Sequence, residues 1–246
     1  MGYILYLACF IIICLIIYYL YFHTEIFIQN IPKIIIQTWK TDTIPDKYTT
    51  YVETLKKLHP DYQYIFFTDE QIEHFLKNNY PQYYETYKKL PIKIQKIDFF
   101  RYIAIYHYGG FYLDLDMKCQ EKFDKLLQHN CVFPVDDYIY HRKHMHRYKH
   151  FYNNNQTFLL GQYAFASVPN HSFLKILIDD IHQNINTYIK HVNADSDDYV
   201  YQTTGPDFVT LKYMQYKNKH DIFILDNKKR QCFGDYATHL CMGSWK

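Results

Sequence analysis

The 246-residue chain is poor in the two residues that punctuate backbone. It has 7 glycines and 8 prolines, which excludes collagen-like, elastic and low-complexity designs. It also lacks a basic excess. Its 27 Lys and Arg stand against 25 Asp and Glu, so no electrostatic case exists for a nucleic-acid partner. No two of its six cysteines form a CxxC, which argues against a zinc knuckle. Internal repeats are absent. Disorder is excluded by composition, with 48% hydrophobic and 21% charged residues. Aromatics are the one excess, at 20%, made of 28 Tyr and 18 Phe against 2 Trp. That excess calls for a thick core or wide adhesive surfaces.

Tyr3 to Phe22 is an unbroken apolar and aromatic run without a charge. As a helix it would span about 30 Å, the thickness of the hydrocarbon layer. Tyr18, Tyr19, Tyr21 and Phe22 crowd its end, where a spanning helix meets the interface. No basic region precedes the run and no small-x-small site follows it, so an uncleaved anchor is expected over a signal peptide. The expected organisation is an anchor over residues 1–24 and one soluble domain over 25–246. The short N-terminus points to a type II single-pass protein with a lumenal (Golgi or ER) domain. Cys119, Cys131, Cys232 and Cys241 then form an even set, compatible with two disulfides or with four free thiols.

Strands are expected at 33–39, 62–67, 111–116, 159–168 and 221–225, with helices at 46–58, 69–77, 92–108, 173–189 and after Pro206. Thr68 or Asp69 can cap the second helix, and Gly109-Gly110 stops the third. This alternation predicts an α/β fold with a mainly parallel sheet flanked by helices. Residues 137–156 are basic and rich in His and Asn, and read as a long exposed loop. Its His141, His144, His146 and His150 could hold a metal by spacing. Alternatively Tyr138, Tyr140, Tyr148, Phe151 and Tyr152 could rest on an anionic membrane surface.

The chemistry centres on Asp98-Phe-Phe-Arg101 and on Gly109-Gly-Phe-Tyr-Leu-Asp114-Leu-Asp116. In an extended strand Tyr112, Asp114 and Asp116 would share one face. Two adjacent carboxylates at the carboxyl end of a strand repel unless a cation neutralises them, and oxygen ligands favour Mn²⁺ or Mg²⁺. Asp98 and Arg101 are three apart on a helix and so share a face. A DxD alone is weak evidence, since roughly one or two arise by chance at this Asp content. Asp195-Ser-Asp197 is a second one, but it has no strand before it.

Taken together, Ile31-Pro-Lys-Ile-Ile-Ile-Gln-Thr-Trp-Lys40, Pro60-Asp-Tyr62 to Glu70, Asp98 to Asp116, Thr204-Gly-Pro206 and His239-Leu-Cys-Met-Gly-Ser-Trp245 resemble, in order, the DXD-containing glycosyltransferases of family 32. That family includes yeast-type α-1,6-mannosyltransferases and inositol-phosphoceramide mannosyltransferases. The resemblance covers residues 31–246. It implies a GT-A type nucleotide-sugar-binding fold, a divalent cation (Mn²⁺ or Mg²⁺) and transfer with retention. It implies a donor such as GDP-mannose or a UDP-sugar, and a glycan or glycolipid acceptor at a membrane. Asp114 and Asp116 would bind the metal, with His239 as third ligand. Asp98 and Arg101 would hold the donor sugar beside Tyr112. Gln37, Thr38 and Trp39 would line the base, and Gly205, Ser244 and Trp245 would complete the donor site. Gln162 stands where many members have Asn, and Ile36 where many have His. A UDP-sugar transferase and an inactive glycosyltransferase fold are the competing readings.

Overall fold

The computed structural model describes residues 12–14, 30–141, 144–191, 197–226 and 231–243. Of the expected anchor, only residues 12–14 are described. Among the described residues no helix is long and apolar enough to cross a membrane.

The β-branched Ile34–Trp39 forms β1, buried along its middle. The chain continues through α1 (Asp46–Leu58) into β2 (Gln63–Thr68), which lies parallel to β1 with Thr68 opposite Trp39. Thr68 caps α2 (Asp69–Asn79): its hydroxyl accepts from the Gln71 N–H at 3.2 Å, and the Gln71 side chain accepts from the Thr68 N–H at 2.9 Å. Then come α3 (Pro81–Lys89) and α4 (Lys93–Tyr108). Residues 98–105 of α4 are buried without a break, so the middle of the helix has no solvent face on which to place Asp98 and Arg101. It stops at Gly109 (φ 67°), and Gly110 opens β3 (Gly110–Leu113).

Next in order are β4 (Met117–Cys119), β5 (Cys131–Tyr138), α5 (His146–Asn153), β6 (Phe158–Leu160) and β7 (Ala164–Ser167). They are followed by α6 (Ser172–Tyr188), α7 (Asp197–Thr203), α8 (Pro206–Gln215), β8 (Ile222–Leu225), β9 (Cys232–Phe233) and β10 (Ala237–His239). The main sheet runs β2-β1-β3-β7-β5-β6, with β8 beside β5. Pairs β1–β2, β1–β3 and β5–β8 are parallel, as strand–helix alternation demands. Strand β7 is antiparallel to both β3 and β5, and β6 is antiparallel to β5, so the sheet is mixed. One core, with Phe99, Ile103, Phe165, Phe173 and Leu177, lies between the sheet and α4 and α6. A second, with Phe111, Leu113, Phe123, Val132 and Phe233, fills the side toward the small antiparallel sheet β4-β10-β9.

Several expectations are corrected. Strand β3 ends at Leu113, so Asp114 to Asp116 lie in the turn after it rather than on one strand face. The strand expected over 159–168 is broken at Gly161 to Tyr163, and β6 and β7 pair with successive parts of β5. Residues 137–156 are not one loop. Tyr148 and Phe151 of α5 pack with Ile139 and Leu159, which removes them from any membrane surface, while Tyr140 and Tyr152 stay exposed. The cysteines, by contrast, take the second of the two readings left open: Cys119, Cys131, Cys232 and Cys241 are all free thiols, the first three buried. Of the second DxD, only Asp197 is described, in the first turn of α7.

At Gly110 (φ 89°) a Cβ would lie 2.4 Å from the Ile34 carbonyl oxygen. Gly110→Ala should therefore cost at least about 2 kcal/mol, a fall of about 4–8 °C in Tm by circular dichroism. An unchanged melt would contradict this close approach of β3 to β1.

Candidate active site

Helix α4 sends Asp98 and Arg101 toward the carboxyl end of β3, and both are at most 1% exposed. Burying a guanidinium is costly unless every face finds a partner. Here Nη2 lies 3.3 Å from Asp98 Oδ1 and 3.2 Å from Asp114 Oδ1. Nη1 donates to the Gln162 carbonyl at 2.9 Å and also to the Gln162 side-chain oxygen. The guanidinium carbon sits 4.5 Å over the Tyr112 ring. Only Nε lacks a partner. Asp98 is held in turn by the Thr204 hydroxyl at 2.8 Å and the Gln162 amide at 3.2 Å. Burial pushes the Asp98 carboxyl up to about 6, although Arg101 and Thr204 pull it the other way. Arg101 stays a cation because the carboxylates of Asp114 and Asp98 outweigh its desolvation.

The break between β6 and β7 supplies these contacts. Irregular strand positions re-aim backbone and side chains beside functional sites. Gln162 turns onto Arg101, and the Tyr163 carbonyl accepts from the Asp114 N–H at 2.8 Å. The next turn closes with the Met117 N–H on the Asp114 carbonyl at 3.2 Å.

Strand β4 follows at once and pairs with β10, His239 opposite Met117. That pairing brings a residue more than 120 positions away against the DxD. His239 Nε2 lies 3.3 Å from Asp116 Oδ1. The Leu240 N–H donates to the Asp116 carbonyl at 3.1 Å, and the Met242 N–H to Asp116 Oδ2 at 2.8 Å. The Tyr163 ring stacks on the imidazole at a centroid distance of 4.6 Å. One ligand atom each from Asp114, Asp116 and His239 lies within 4.8 Å of the others. Two carboxylates and an imidazole form a donor set that fits Mn²⁺ or Mg²⁺. The electrostatics call for positive charge at this cluster. Burial works against an imidazolium, yet the Asp116 hydrogen bond and the two carboxylate charges raise His239 to about 10. Burial pushes Asp114 up, whereas for Asp116 the His239 contact and the Met242 N–H overcome burial and hold it below the ordinary range. A proton on His239 thus supplies the positive charge.

Two cavities meet over this cluster. The larger, about 330 Å³, is lined by Asp98, Arg101, Asp114, Asp116 and His239, and reaches Arg147 and Tyr201. The smaller, about 130 Å³, is lined by Thr38, Trp39 and Tyr112, and shares Arg101 and Asp114 with the first. Gln37 lines neither. Its amide donates to the Asp114 carbonyl at 3.2 Å and accepts from the Tyr64 hydroxyl at 2.9 Å, so it positions the DxD turn. Gly205 also lines neither. It precedes α8 with no room for a Cβ, which would sit 2.9 Å from Tyr201 Cα. Ser244 and Trp245 lie outside the described residues. Thr204 and the Arg147–Asp207 pair were not foreseen. Arg147 Nε bonds both Asp207 oxygens, at 3.0 and 2.9 Å, and its guanidinium lies 4.2 Å over Tyr201. Thr204 was visible as part of the Thr-Gly-Pro element, but Arg147 was lost among the basic residues of its segment.

Residues 45–133 match the family described as the glycosyltransferase sugar-binding region containing the DXD motif. The chain is 30% identical over 190 residues to inositol phosphoceramide mannosyltransferase 2 of Schizosaccharomyces pombe, covering 77% of this chain and 48% of that protein. It is also 30% identical over 235 residues to uncharacterized glycosyltransferase L373 of Acanthamoeba polyphaga mimivirus, covering 87% of this chain and 84% of that one. In structure it superposes on the PaToxG glycosyltransferase with a TM-score of 0.52 and 16% identity, covering 76% of this chain and 70% of that chain. The chain spans about half the length of the inositol phosphoceramide relatives it matches. A mixed α/β glycosyltransferase fold, a DxD closed by a C-terminal histidine and the mimivirus protein matched over most of both chains lead to one statement: this chain belongs to the DXD-containing glycosyltransferase family.

Proposed function

We propose that the chain is a GT-A type, metal-dependent mannosyltransferase that uses GDP-mannose and an inositol-phosphoceramide-like acceptor, with retention at the anomeric carbon. The observation that carries this reading is the meeting of the Asp114–Asp116–His239 cluster with the buried Asp98–Arg101 pair in one cavity. The names of the relatives support mannose and a phosphoinositol lipid. Residues 1–24 are proposed as the membrane anchor, with the domain in the lumen beside such an acceptor.

Asp114, Asp116 and His239 would hold Mn²⁺ or Mg²⁺, which when bound neutralises charge building on the leaving diphosphate. Arg101, fixed by Asp98 and Gln162, presents its guanidinium to the cavity without reorganising. Asp98 is ionised above about pH 6 and can accept from a sugar hydroxyl. Thr38, Trp39 and Tyr112 line the smaller cavity, where the nucleoside would lie. The acceptor would enter through the side of the larger cavity lined by Arg147 and Tyr201, which sets its hydroxyl toward the anomeric carbon. Attack then comes from the face that the diphosphate leaves.

Two outcomes are expected. Asp116→Asn keeps the shape of the group accepting from Met242, so its melt should stay close to the parent's. Mannose transfer should nevertheless fall roughly a hundredfold or more, and excess EDTA should do the same to the parent; full activity in either case would overturn the metal role. The second concerns pH. His239 is raised to about 10 without a cation, so its proton competes with metal throughout the neutral range. Mn²⁺ affinity by calorimetry should therefore rise by about tenfold per pH unit from about 6.5 to 8.5, with release of about one proton. His239→Ala should flatten that slope, and a flat slope in the parent would remove His239 from the ligand set.

A further inference from the structure

The smaller cavity holds an anionic group that the proposed mechanism does not use. Strands β1 and β2 are parallel and end side by side at Trp39 and Thr68, and ligands of such sheets sit beyond those carboxyl ends. The next residues, Lys40 and Asp69, line the cavity together with the Trp39 ring and Lys93. Lys93 pairs with Asp69 Oδ2. Asp69 Oδ1 is shielded from water and accepts no hydrogen bond. A desolvated carboxylate oxygen without a donor is unfavourable, and none of the described residues supplies a donor to offset it. Lys93 is half exposed, so its flexible head can yield its place over the carboxylate to a ligand.

Oδ1 calls for a donor, and with Lys93 moved aside the two oxygens can accept from a pair of adjacent N–H groups on a flat ring. Guanine presents this on its pairing edge: N1–H and the exocyclic N2 amine side by side, with the O6 acceptor next to N1. A carboxylate can take both donors, while an ammonium answers O6. Uracil offers one N–H flanked by two carbonyl oxygens, which a carboxylate repels. Adenine and cytosine each set a lone pair where the second donor should be. We infer that Asp69 reads the guanine edge of the donor nucleotide, with Trp39 against the ring face and Lys93 or Lys40 at O6. This rests on the reading of the smaller cavity as the nucleoside site, and it makes Asp69 the residue that selects GDP-linked over UDP-linked donors.

The test is equilibrium binding of GDP, UDP and xanthosine diphosphate to the intact chain with Mn²⁺, for the parent, Asp69→Ala and Asp69→Asn. The parent should prefer GDP over UDP by roughly 10- to 100-fold. Asp69→Ala should bring GDP close to UDP. Asp69→Asn replaces one acceptor by a donor, so it should favour xanthosine diphosphate, whose ring carries a carbonyl in place of the N2 amine. That exchange cannot come from loosened packing, and the Asp69–Lys93 pair, half exposed at Lys93 and one-third exposed at Asp69, is worth too little to unfold the domain. Equal binding of GDP and UDP by the parent, or a GDP preference that survives Asp69→Asn, would overturn the assignment. GDP selectivity without sugar transfer from any donor would instead defeat the proposed activity and leave the base reader standing. Transfer from GDP-mannose with no effect at Asp69 would do the reverse.

Discussion

A guanidinium removed from water is the constraint around which this site is arranged. Arg101 sits in the stretch of α4 that is buried on all sides, and its charge must be answered from within. The answers come from separate parts of the chain: Asp98 one turn earlier, Asp114 after β3, Gln162 from the break between β6 and β7, and the Tyr112 ring beneath. Breaking one such contact leaves an uncompensated buried charge, which is far more damaging than losing a surface pair. The same contacts fix Asp114 relative to α4 and so fix one side of the cation cluster. Stability and site geometry are here a single set of interactions.

The second half of the cluster depends on a different device. Asp116 is clasped by the segment after β10 through two backbone N–H groups, and His239 is brought in by the pairing of β10 with β4. A site divided between the middle and the end of the chain forms only when the small sheet closes. This explains why carboxylates that would otherwise repel tolerate each other: the positive charge of His239 stands beside both.

The elements governed by local rules were legible in the sequence. The β-branched run of β1, the Thr68 cap, the Gly109 stop and the apolar stripe of α6 each depend on a few neighbouring residues. What was not legible depends on pairing over long distances. The antiparallel setting of β7, the break at Gly161 to Tyr163 and the short strands β4, β9 and β10 carry no periodic signal. Asp114 and Asp116 are expected on one strand face, whereas a turn brings them together. Gln37 was assigned to the base, whereas its amide holds the DxD backbone. In the sequence Asp69 reads only as a possible cap, because Thr68 and Asp69 are both good caps; the structure gives the cap to Thr68 and leaves Asp69 Oδ1 without a donor.

The central claim is that one cation joins the middle and the end of this chain. Anomalous scattering at the manganese edge, from crystals grown with Mn²⁺ and GDP, tests it most directly. The account predicts a peak bounded by Asp114, Asp116 and His239, with Arg101 still against Asp98. A peak away from these three side chains, or His239 turned out of the cluster, would contradict it.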